Sequence, residues 1–199
     1  MINSEVTAYD ARKKIFSVAA RLFADKGYNA VSMREISEQA ELSKPTIYYY
    51  FGSKEGIYKE LVTTGFSHMH SVLENIVPLK VTVSEKLNLI LKKYFNFSQN
   101  YPEFTKFISN LIYSAEKMEF LISFKKEAEQ KEELITGLFR EGIQTGEFTP
   151  SLNPDIATHV FFGVLMRYIM IQHESNDMIL SDELADNILS TLICGMRKE

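Results

Sequence analysis

Apolar residues recur at steps of three and four near the start of the chain: Ala11, Ile15, Val18, Ala19, Leu22 and Phe23. That spacing lays one stripe along a helix and predicts one over about 9–26. Gly27 follows the last apolar position and reads as its C-terminal stop. Ser32, followed three residues later by Glu35, forms a capping box. It opens a short helix that turns Ile36 and Ala40 inward. Ala40-Glu41-Leu42-Ser43 is then a tight connection. Ser43 caps a third helix, and Pro45 is tolerated in its first turn, where backbone N–H groups lack partners within the helix. Gly52 ends that helix and Ser53 caps a fourth. Further helices are predicted near 54–77, 84–100, 102–115, 122–145, 154–174 and 182–196. Tyr101-Pro102 breaks one of them, because a residue before proline disfavours helical geometry. Asn153-Pro154 supplies a cap and a first-turn proline to another, and Ser181 caps the last. No alternating strand pattern and no internal repeat occur. The expected fold class is all-α.

Two short helices joined by a three- or four-residue turn make a helix-turn-helix, whose second helix enters the DNA major groove. That second helix reads Lys-Pro-Thr-Ile-Tyr-Tyr-Tyr-Phe from Lys44. At roughly 100° per residue, Ile47 and Phe51 share one side and should pack inward. Lys44, Pro45, Tyr48 and Tyr49 occupy the opposite side, flanked by Thr46 and Tyr50. Hydroxyls and an ammonium at that spacing suit phosphate oxygens and base edges. Lys54 sits in the first turn of the next helix, where a cation opposes the helix dipole. A phosphate at that N-terminus would reverse the penalty.

Composition limits the alternatives. The chain has 199 residues, is 45% hydrophobic and 24% charged, and carries a net charge of −4. The charge is uneven: residues 1–60 balance to +1 and the rest to −5. A DNA-binding surface needs only a local positive patch. The single cysteine, Cys194, excludes an internal disulfide and fits a reducing cytoplasm. The N-terminus lacks a secretory apolar run, and Arg167 interrupts the longest apolar stretch, so no membrane span is expected. His68 and His70 point to different sides of a helix, and His159 and His173 lie too far apart to share an ion. No metal site, cofactor, phosphate loop or nucleophile elbow is expected, and hence no enzyme.

The stretch "ARKKIFSVAARLFADKGYNAVSMREISEQAELSKPTIYYYFGSKEGIYKEL" resembles the N-terminal domain of the TetR (tetracycline repressor) family of bacterial transcription regulators. The likeness rests on "LFADKGY", "SMREISEQA", "TIYYYF" and "SKEGIY", and covers about residues 11–61. The resemblance implies a DNA-binding domain over 1–53 and a helical ligand-binding and dimerisation domain over 54–199. It implies that Lys44, Pro45 and Thr46 read bases, and that Arg34 reaches a base or phosphate. Ser32, Tyr48, Tyr50 and Lys54 match phosphate-holding positions, with Tyr49 at the rim. Glu41 departs from the pattern, because the family usually has glycine in that turn. The implied protein is a cytoplasmic homodimer, most simply a repressor of an inverted-repeat operator in double-stranded DNA, released by a small hydrophobic or aromatic effector. An all-helical interaction protein that kept the head without specific DNA binding is the alternative.

The body offers candidates for the remaining roles. Val160, Phe161, Val164, Leu165, Tyr168 and Ile169 form one apolar face, and Ile188, Leu189, Leu192 and Ile193 another. These last two helices are the expected dimer interface. Phe95, Phe104, Phe107, Tyr113, Phe124 and Phe162 are candidate walls of an effector pocket, with Arg167 as the polar candidate, either for an anionic group on the ligand or for an acid across the dimer. At helical spacing the same rings also serve as plain core.

Overall fold

The computed structural model describes the backbone of residues 2–113, 121–175 and 177–196, and the side chains of 10–112, 129–175 and 177–196. All regular structure among them is helical: α1 (Ile2–Ala30), α2 (Met33–Ala40), α3 (Lys44–Phe51), α4 (Lys54–Ile76), α5 (Val83–Asn100), α6 (Pro102–Tyr113), α7 (Leu121–Gln144), α8 (Pro154–Glu174) and α9 (Asp182–Cys194). The α1 stripe turns inward as its period requires, with Ile15, Ala19, Leu22 and Phe23 all buried. The α1 helix breaks at Gly27, whose φ of 74° lies in the left-handed region that favours glycine.

The chain divides into two compact units. The first runs to Gly65 and includes α6. Its core joins Ile36, Ile47, Ile57 and Leu61 to the α1 stripe. The α6 helix lies along α1. Phe104 stacks on Phe16 with centroids 5.6 Å apart, and Phe107 meets Tyr58 edge-on at 5.1 Å. Asn110 donates to the carbonyl of Ala24 at 2.8 Å, and Lys106 pairs with Asp25 at 2.7 Å.

The second unit holds Phe66–Asn100 with α7, α8 and α9. Its core includes Leu73, Leu87, Ile90, Phe95, Ile135, Phe139, Phe148, Phe161, Leu165 and Leu189. The start of α5 is fixed by one carboxylate. Glu147 accepts from the backbone N–H of Val83 and of Ser84 at 2.8 Å each, and from the Ser84 hydroxyl. Negative charge at a helix N-terminus is favourable, because the first N–H groups have no internal acceptor. Lys86 is buried and pairs with Glu141 at 2.8 Å. By length and composition alone α8 could cross a membrane. Its Phe161, Leu165 and Ile169 fill the core of this unit, while His159, Arg167 and Glu174 break up its outer faces.

Candidate nucleic-acid interface

Helices α2, α3 and α4 each start on a side-chain cap. Ser32 Oγ accepts from the Glu35 N–H at 3.1 Å, Ser43 Oγ from Thr46 at 3.2 Å, and Ser53 Oγ from Gly56 at 2.9 Å. These bonds satisfy donors that the helices leave orphaned, and they fix where α3 begins. Only half of the expected capping box forms. The Glu35 carboxylate pairs with Lys26 at 2.5 Å instead. The turn between α2 and α3 passes through Glu41, whose φ of 53° and ψ of 37° are left-handed. Glycine has no steric cost there and glutamate does.

On α3, Ile47 is fully buried and Phe51 nearly so, while Tyr48 is 50% and Tyr49 83% exposed. Lys44 and Pro45 are also exposed, and Thr46 and Tyr50 are half-buried. Tyr50 rests edge-on against Tyr49, centroids 5.2 Å apart, so the outer rings brace each other. The Thr46 and Ser43 hydroxyls share a hydrogen bond of 2.8 Å. The helix therefore offers hydroxyl and ammonium groups outward on a rigid, capped rod.

The acids around this face are neutralised from within. Lys26 pairs with Glu35, Arg34 with Glu38 at 2.7 Å, and Lys14 with Glu41 at 2.6 Å. The hydrogen bond from Lys14 holds the Glu41 carboxyl below its ordinary pKa, and the Glu38 bond raises that of Arg34. Lys44 makes no ion pair among the described residues, so its charge at the head of α3 is available to a ligand. The Lys14–Glu41 pair was not legible in the sequence, because its partners lie 27 residues apart with no shared periodicity.

Lys54 has a place of its own. Its ammonium donates to the carbonyls of Tyr28 and Val31, both at 2.9 Å, and lies 4.2 Å from the centroid of the Tyr28 ring. These carbonyls belong to the chain leaving α1. The lysine therefore ties the start of α4 to the end of α1.

A model of bacterial regulatory proteins of the tetR family matches residues 15–61, the segment just described. Residues 15–61 therefore form the N-terminal domain characteristic of the tetR family. Among relatives of the whole chain is the fatty acid metabolism regulator protein of Bacillus subtilis (strain 168). It is 23% identical over 189 residues, covering 94% of this chain and 95% of the relative. The transcriptional repressor KstR2 of Mycolicibacterium smegmatis is 24% identical over 152 residues, covering 73% and 71%. Among solved structures, the regulator FadR of Bacillus subtilis in complex with stearoyl-CoA has the same fold. Its TM-score is 0.70 at 23% identity, covering 92% of this chain and 98% of that one.

The effector candidates fall in both units. Phe104 and Phe107 belong to the core of the first unit, and Phe95 to that of the second. Phe162 is half-buried and edge-on to Phe161 at 5.9 Å. Arg167 is exposed and lies 3.8 Å from Glu174 on its own helix. The side chains of Tyr113 and Phe124 lie outside the described residues. On α9, Ile188, Leu189 and Ile193 are buried within their own unit. On α8, Ile156 is 61% and Val160 42% exposed. No group of three or more metal-ligating side chains occurs among the described residues.

Proposed function

We propose that this TetR-family regulator is a cytoplasmic repressor that binds an inverted-repeat operator as a homodimer and is released by a long-chain acyl effector. The carrying observation is the bare face of α3, with Tyr48 and Tyr49 outward while Ile47 and Phe51 anchor the helix from behind. In this reading Lys44, Pro45 and Thr46 meet bases, with Arg34 close by. Ser32, Tyr48 and Tyr50 hold phosphates, Tyr49 covers the rim, and Lys54 chiefly fixes the α1–α4 junction. Residues 1–53 carry DNA recognition, and 54–199 carry dimerisation and effector binding. Two recognition helices about 34–36 Å apart would meet successive major grooves. The exposed Ile156 and Val160 support an interface through α8, with α9 beside it. The acyl class is supported by the fatty acid regulator among the relatives and by the stearoyl-CoA held by a protein of the same fold.

The test is fluorescence anisotropy on duplexes selected from a random pool. The purified protein should choose an inverted repeat, bind it more weakly as salt rises, and release it when stearoyl-CoA is added. Affinity for a polyanion falls with salt because counterions are displaced from the phosphates. Failure to bind any duplex at low salt removes the DNA reading and leaves the interaction protein. Tight binding that no acyl compound relieves removes the effector assignment alone.

A further inference from the structure

One carboxylate of the head sits where backbone and setting both oppose it. Glu41 is the one non-glycine among the described residues with a positive φ, 53°. A left-handed backbone is unfavourable for any residue that carries a Cβ. Its side chain is 79% exposed and lies three residues before Lys44, the first residue of α3. That stretch of chain spans at most about 11 Å. The opening residues of a recognition helix meet base edges, so an incoming duplex brings its phosphates close to this carboxylate.

The turn is held without the carboxylate. The Glu41 N–H donates to the carbonyl of Glu38 at 3.2 Å, the Leu42 N–H to that of Ser37 at 3.1 Å, and the Ser37 hydroxyl to the carbonyl of Leu42 at 2.6 Å. The Glu41 side chain reaches instead to α1, where its carboxylate accepts from Lys14 Nζ at 2.6 Å. Lys14 is itself 46% exposed. An exposed ion pair adds little to stability. What this one changes is the charge offered to DNA beside the head of α3, because the Lys14 ammonium is already engaged.

We propose that Glu41 occupies Lys14 in the place of a DNA phosphate. The head then carries a masked phosphate-binding lysine, and it grips every duplex less tightly than its cations allow. This rests on the DNA-binding reading above and adds to it a lysine on α1 and the carboxylate that restrains it. The pair is neutral as a unit, so it contributes no counterion release when DNA docks. Its effect is independent of sequence, since phosphate contacts carry no sequence information directly. A ligand frees DNA only through its differential affinity for two states, so a restrained grip is also easier to relieve.

The experiment is fluorescence anisotropy of the full-length protein on the selected inverted repeat and on an unrelated duplex, with thermal unfolding of each variant alongside. Glu41→Gln keeps the side-chain length and the backbone and removes the charge. It should bind both duplexes roughly tenfold tighter at about 50 mM salt, and steepen the slope of log affinity against log salt by about 0.9, the yield of one more phosphate contact. The gain should therefore shrink about 3.5-fold by about 200 mM salt. Glu41→Gly should show the same gain while its melting temperature holds or rises, because glycine relieves the left-handed strain. Adding Lys14→Met to Glu41→Gln should return both affinity and slope to wild type. Unchanged affinity and slope in Glu41→Gln overturn the proposal and leave DNA binding in place. A gain that survives Lys14→Met overturns it too, because it then comes from lost repulsion and not from a freed lysine. A gain confined to the inverted repeat overturns it as well, since Glu41 then acts on a base. A wild-type protein that binds no duplex overturns this proposal together with the DNA reading.

Discussion

Lys54→Met separates two roles that one ammonium could play. The substitution keeps the apolar stem and removes the charge. In the structure that charge serves two carbonyls, those of Tyr28 and Val31, and faces the Tyr28 ring. A hydrogen bond from a charged donor contributes about 1.5–3 kcal/mol net. Lys54 is half-buried, so the lower end is appropriate for the two bonds together. The ring contact adds about 0.5 kcal/mol. The expected loss is about 2 kcal/mol. For a chain of this size that lowers the melting temperature by about 4–8 °C. The assay is thermal unfolding without DNA, joined to a salt titration of DNA binding. A lysine that serves the fold leaves the slope of log affinity against log salt unchanged, and one that neutralises a phosphate lowers it by about 1. A melting temperature within about 1 °C of wild type, with a shallower salt slope, would refute the structural assignment.

Gly65→Ala should destabilise the first unit by about 1 kcal/mol net, read as a lower urea midpoint, because overpacking of about 2 kcal/mol outweighs the gain of about 1 kcal/mol from alanine in a helix. An added Cβ would come within 2.6 Å of Ile108 Cδ1. His68 stacks on Phe97 with centroids 3.7 Å apart, and burial lowers its pKa. The unfolded chain therefore takes up a proton first as pH falls from about 6.5. Stability should be undiminished by this group above that pH and should drop as pH falls through the depressed folded value. His68→Gln should flatten that part of the urea-midpoint profile, and an identical profile would count against it. Thr46→Ala should change which duplex is selected, whereas Tyr48→Phe should weaken all duplexes alike.

Local chemistry made the head readable. Serine caps, first-turn Pro45 and the Gly27 and Gly52 stops act over three or four residues, and the helix ends follow them closely. The inward positions Ile36, Ala40, Ile47 and Phe51 follow from period alone. Glu41 was legible as a residue in an unfavourable backbone region, but its pairing with Lys14 was not. The body was harder, because apolar period marks what is buried without saying in which unit. Phe104 and Phe107 are candidate pocket walls by side-chain type alone, and their helix lies along α1. Ile188, Leu189 and Ile193 share one apolar stripe, and they are buried within their own unit. The burial of Lys131 and Tyr94 was not legible either, because each is a single polar residue in an ordinary helical pattern.

The seat of α6 against α1 bears on how such regulators are spliced together. A recombinant head cut anywhere before Tyr101 leaves Phe16, Phe23 and Tyr58 with bare rings where Phe104 and Phe107 should sit. The recognition module is therefore not portable as a leading fragment. A chimera that borrows its operator specificity must carry the α6 segment along with the first sixty-five residues, or graft only the outward side chains of α3 onto a recipient that already has its own α6.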